Sequence, residues 1–210
     1  FLIKDEGRAV IEINQALQLK EDYTFFHIKG IILAKQFLYF IENDEETIKK
    51  THFSLIDELN NVKKAVFAAF NQSIALKYNN TYAYTDKIRF CFNVIRKMKE
   101  KIYPGKAESE FLKYEKFYWY MELIDDIQSV LEEMRALQDY ADIDLASEIE
   151  NYHSQLLKIK GYTNAAIEGW NNLLIKQDVY RPVIRRLLVE GYSDQCKGDW
   201  KKLNKKKQEY

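Results

Sequence analysis

Residues that turn or staple a backbone are scarce in this chain: 210 residues include 7 Gly, 2 Pro and 2 Cys. Hairpins, barrels and phosphate-cradling loops consume chain-turning residues in quantity, so the shortage argues against an all-β fold and a Gly-rich nucleotide site. Cys91 and Cys196 lie far apart and neither belongs to a paired ligand motif, which predicts two reduced, packed thiols. Net charge is also absent, with 32 Lys and Arg against 32 Asp and Glu. That balance excludes a histone-like polycation and a disordered acidic tail. The longest wholly apolar run near the N-terminus is Ile31 to Ala34, cut by Lys35. Neither a signal h-region nor a membrane span is expected from it, and a cytoplasmic protein with no membrane partner is.

What the chain does have is apolar and aromatic mass. Hydrophobic residues make up 47%, with 12 Phe, 15 Tyr and 3 Trp, enough to fill a core without disulfides or a structural metal. Few turns and a large core together predict long helices. The sequence opens on Phe1 with a helical pattern already running by Lys4, as expected for a fragment of a longer multidomain protein.

Periodicity agrees. Val10, Ile13 and Leu17 fall at helical spacing, and the pattern stops at Lys20 to Asp22. A longer apolar helix follows from Tyr23 to Ile41, with His27 and Gly30 on one turn, closed by the acidic run 42–46. The pattern is less regular around Phe53 to Leu59. It resumes with Val62, Val66, Phe70 and Ile74 and ends at Asn79 and Asn80, which suit a turn and a cap. Another helix is predicted from Tyr82 to Ile102, before the clearest break, Pro104 and Gly105. Beyond it, Glu108 to Leu137 carries a predicted buried stripe of Phe111, Tyr114, Phe117, Tyr118, Met121 and Ile124. Further helices are predicted at Ile143–Ile159, Thr163–Lys176 and Pro182–Tyr192, followed by a Lys-rich end. No segment alternates with period two between hairpin turns, and no low-complexity linker divides the chain. The expected fold is all-α, with residues 1–210 forming one packed helical array.

One pattern recurs. Ala9, Ile13, Ala16 and Leu17 share their offsets with Val66, Phe70, Ser73 and Ile74, and again with Ala166, Trp170, Leu173 and Leu174. A compact residue lets a neighbouring helix approach while a bulky one a turn later fills the gap beside it. The stretch Gly161 to Leu174 resembles the second helix of a tetratricopeptide repeat, its leading Gly in the tight inter-helix turn. Lys4 to Leu17 resembles the same element, and Asn61 to Leu76 is a looser copy. The copies stand 57 and 100 residues apart, off the usual ~34-residue period, and all three lack the closing Pro. Antiparallel helix pairs stacked as a degenerate tetratricopeptide-like α-solenoid are therefore expected.

A narrower resemblance rests on Phe26 to Gly30, on Phe111 to Leu131 with Trp119, Tyr120, Leu123, Ile124 and Asp125, and on Arg185, Arg186, Asp199, Trp200 and Leu203. Together these are similar to the helical-repeat region of large STAND NTPases, especially bacterial antiviral ones. The resemblance implies a sensor that recognises a phage protein, with NTPase and effector modules elsewhere in the chain.

Motifs for other chemistry are incomplete. Tyr103, Pro104, Gly105 and Lys106 lack the earlier Gly of a phosphate loop, and Ala107 stands where Ser or Thr should hold the metal. Asp125 and Asp126 lack a third acid, because Ser129 occupies its place. Glu150 and His153 form one Glu-x-x-His, but neither His27 nor His52 has a Glu three residues earlier to make the second copy of a di-iron site. No catalytic, cofactor or metal residue is assigned, and a binding module is expected in place of an enzyme.

Two surfaces remain as candidates. Tyr82, Tyr84, Tyr114, Tyr118, Trp119 and Tyr120 cannot all face inward on regular helices, so some are expected on a protein-binding surface. Charge, balanced globally, is segregated locally: residues 108–150 hold 13 acids against 3 bases, and 181–207 hold 9 bases against 3 acids. The basic end is either a solvated terminal helix or, as the alternative function, a nucleic-acid patch. In the second case Arg181, Arg185, Arg186, Lys201, Lys202, Lys205 and Lys206 would neutralise phosphates.

Overall fold

The structure, a computed structural model, describes residues 3–43, 52–102, 118–137, 143–176 and 181–196. These form α1 (Ile3–Leu19), α2 (Tyr23–Asn43), α3 (His52–Leu76), α4 (Thr81–Ile102), α5 (Tyr118–Ala136), α6 (Ile143–Ile159), α7 (Thr163–Lys176) and α8 (Arg181–Cys196). The protein is all-α: the described residues are helix and short turn, with no strand among them. Two compact units, Phe1–Pro104 and Gly105–Tyr210, divide the chain. The division falls between Pro104 and Gly105.

Among the described residues three short polar turns join helices, α1–α2, α3–α4 and α6–α7, and each carries hydrogen bonds. Asp22 caps α2, its Oδ1 accepting from the Thr24 amide at 2.8 Å, and that bond holds the Asp22 carboxyl below its ordinary range. Between α6 and α7, Gly161 adopts φ 89°, the left-handed region that a Cβ disfavours. The Tyr162 amide donates to the Leu157 carbonyl at 2.8 Å and the Gly161 amide to Lys158 at 2.9 Å, the paired bonds of a Schellman ending. The Gly expected in a tight turn is thus required there by backbone conformation. At the α3–α4 turn Asn80 is buried, and its Nδ2 donates to Ser73 Oγ at 2.8 Å, a bond across the turn.

In the first unit, α2 packs against α1, α3 and α4, and α3 packs against α4. The irregular stretch after Thr51 is not a break: α3 runs unbroken for 25 residues from His52. Ser73, near the end of α3, donates to the Tyr23 carbonyl at the start of α2 at 2.7 Å, so these helices run antiparallel. Residue numbers rise together between α2 and α4: His27 pairs with Asp86, and Glu42 with Lys97 and Lys101. Those two helices are therefore parallel neighbours, with α3 antiparallel to them. Gly30 permits the close approach, since a Cβ there would lie 2.6 Å from Cε1 of Phe70.

In the second unit, α7 packs between α6 and α8. Trp170 Nε1 donates to Asn151 Oδ1 at 3.2 Å, and a Cβ on Gly169 would meet Ser154 Oγ, which places α7 antiparallel to α6. Asn171 Nδ2 lies 3.4 Å from the Tyr192 hydroxyl and Gln195 bonds Asn164, so α8 reverses again. Ala166, Ile167, Trp170 and Leu173 meet Ile184, Leu187, Leu188 and Tyr192 in one core. Fully burying one side chain of this size stabilises by roughly 1.5–3 kcal/mol, so Trp170, with no exposed surface, anchors the layer.

One sequence expectation, on α5, needs correction. By length and composition α2 is apolar enough to cross a membrane, a test that core helices of soluble proteins also pass. Lys29 and Lys35 interrupt its apolar runs without lowering their average enough to exclude it. On α5 the buried stripe is Tyr120, Leu123, Ile124, Ile127, Val130, Leu131 and Met134, whereas Met121 is exposed. Met121 is one residue from Tyr120, about 100° around the helix, enough to leave the buried face.

Candidate functional site

Of the six aromatic candidates, Tyr82 reaches solvent and is 71% exposed. Tyr84, Trp119 and Tyr120 are buried, a correction to their expected place on a partner surface. Neighbouring residues are about 100° apart on a helix, and a buried face wider than that takes both. Trp119 and Tyr120 form such a pair, their rings edge to face with centroids 5.9 Å apart. Tyr118 opens α5, and Tyr114 lies outside the described residues.

The basic candidates are dispersed or undescribed. Arg185 and Arg186 are exposed on α8, but Arg186 Nε lies 3.8 Å from Glu190 Oε1 on the same helix. Arg181 opens α8, while Lys201, Lys202, Lys205 and Lys206 fall outside the described residues.

Sequence periodicity missed the exposed end of the first unit. The α1–α2 and α3–α4 turns lie together there, tied by the Ser73 bond and by Lys77, whose Nζ is 3.3 Å from the Tyr23 hydroxyl and 4.5 Å from that ring's centroid. The Lys77 hydrogen bond, chief among several effects, lowers the Tyr23 phenol below its usual range. Beside these turns Leu76, Tyr78 and Tyr82 expose large side chains, at 48%, 60% and 71%. Turn residues carry no periodic signal, so only the Tyr-rich composition hinted at them.

Below this end, α4 shows a narrow solvent stripe. Its exposed residues among the described side chains are Tyr82, Arg89, Arg96 and Glu100. The first three are seven residues apart, which brings them to one side of the helix. Asp86, also on this side, accepts from Arg89 Nη1 through Oδ1 at 3.2 Å and faces His27 Nε2 through Oδ2 at 2.9 Å. The His27 ring in turn packs at 5.6 Å from the Phe70 ring. This chain of contacts runs from the core of α3 through α2 to the outer side of α4, so the stripe has a fixed underside.

In the second unit the outer helices are joined similarly: Lys158 on α6 lies 3.3 Å from Asp194 and 3.7 Å from Glu190 on α8. His153 sits on the exposed side of α6, its imidazole titrating below the ordinary range through partial desolvation, then the nearby charges of Arg135 and Lys160. Among the described residues no group of three or more His, Cys, Asp or Glu could hold a metal ion. Cys91 and Cys196 are both buried thiols. Comparison of the chain with protein-family models, curated proteins and solved structures finds no match.

Proposed function

We propose that the chain is a cytoplasmic protein-recognition module of tetratricopeptide-like helix pairs, the sensor portion of a STAND-type antiviral NTPase whose target is a phage protein. The observation that carries the repeat reading is the position of the recurring pattern in each unit. Val66, Phe70 and Ser73 are buried on α3, and Ala166, Trp170 and Leu173 are buried on α7. Each of these helices is antiparallel to two flanking helices that are themselves joined by side chains, the His27–Asp86 hydrogen bond in one unit and the Lys158–Asp194 ion pair in the other. Stacked helical hairpins of this kind offer extended surfaces for partner proteins and require no catalytic group.

The test is co-expression of the 210-residue chain with individual phage structural and replication proteins, followed by co-purification at low and high salt. The reading requires one phage protein that stays bound when salt is raised. Retention of none, with nucleic acid retained at low salt and lost steeply at high salt, would transfer the function to phosphate binding.

A further inference from the structure

We draw no further inference here: the strongest candidate, the surface patch of Leu76, Tyr78 and Tyr82 beside Lys77 at the exposed end of the first unit, is an unpartnered apolar face, and nothing in the structure shows what covers it.

Discussion

Replacing Gly30 with Ala tests the packing logic of the first unit with a single methyl group. In a helix interior this substitution ordinarily stabilises by about 0.8–1.0 kcal/mol, because Gly loses more backbone freedom on folding. Here the new Cβ would stand 2.6, 2.8 and 2.9 Å from Cε1, Cδ1 and Cζ of Phe70, all well inside van der Waals contact. The ring has little room to swing clear, being 1% exposed and already in contact with His27, one turn before Gly30 on α2. Overpacking of this kind typically costs about 1–3 kcal/mol, and with three ring atoms inside 3.0 Å the upper half of that range applies, so a net loss of about 1–2 kcal/mol remains after the helix-propensity gain. For a unit of this size that lowers the thermal midpoint by about 4–16 °C. The three tryptophans, Trp119, Trp170 and Trp200, all belong to the second unit, so helical circular dichroism reports both units and tryptophan fluorescence one. The variant should displace an early part of the dichroism transition and leave the fluorescence transition in place. In a Phe70→Leu background, which is itself destabilised, adding Gly30→Ala should become neutral or favourable, giving a coupling of about 0.5–3 kcal/mol. A raised midpoint for Gly30→Ala alone, or additive effects of the two changes, would refute the close α2–α3 approach.

Three further outcomes are expected in the second unit. Asn151→Ala removes the acceptor of the buried Trp170 indole N–H, which should cost about 1–3 kcal/mol in a urea titration followed by tryptophan fluorescence; an unchanged midpoint would mean the indole has another acceptor. Gly169→Ala sets a Cβ on Ser154 Oγ, so it should destabilise in the native background and stabilise once Ser154→Ala has removed the hydroxyl. The same order of midpoints in both backgrounds would count against that contact. His153 titrates below its ordinary 6.5 in the folded protein. As pH falls below 6.5 the unfolded chain takes up the proton first, so this group's contribution is full above 6.5 and is lost as pH drops toward the folded value. His153→Gln should flatten the decline in stability below 6.5, and an unaltered slope would show that other groups carry it.

The helices were largely legible because each has a face with a period. Ile143–Ile159 and Thr163–Lys176 are the predicted bounds of α6 and α7, and Gly161 falls in the turn the pattern required. Tyr84, Trp119 and Tyr120 were not legible as core, because composition shows how many aromatics there are and not how wide the buried face of each helix is. Met121 shows the converse, an apolar residue at plausible spacing that lies one position off the true stripe. The exposed end formed by Leu76, Tyr78 and Tyr82 depends on which turns meet in space, and His27 with Asp86 on a pairing across 59 residues. Neither leaves a trace in local spacing.

The recurring pattern carries information that its irregular spacing conceals. Phe70 and Trp170 occupy the same position in it, and each meets a glycine on an adjoining helix: Gly30 on α2 for Phe70, and Gly191 on α8 for Trp170, where a Cβ would lie 3.3 Å from Cζ3. The bulky residue thus finds its space from the preceding helix in one unit and from the following helix in the other. A strict repeat would place that glycine at a fixed offset from the motif, and here the offset reverses sign. Sequence divergence therefore acts on which neighbour gives way, while the requirement for one large side chain against one missing Cβ is kept. These glycines cost helix propensity where they stand, but at Gly30 a Cβ would overlap the Phe70 ring, at Gly191 it would press on Ile167 and Trp170 at 3.0 and 3.3 Å, and at Gly169 it would meet the smaller Ser154 hydroxyl.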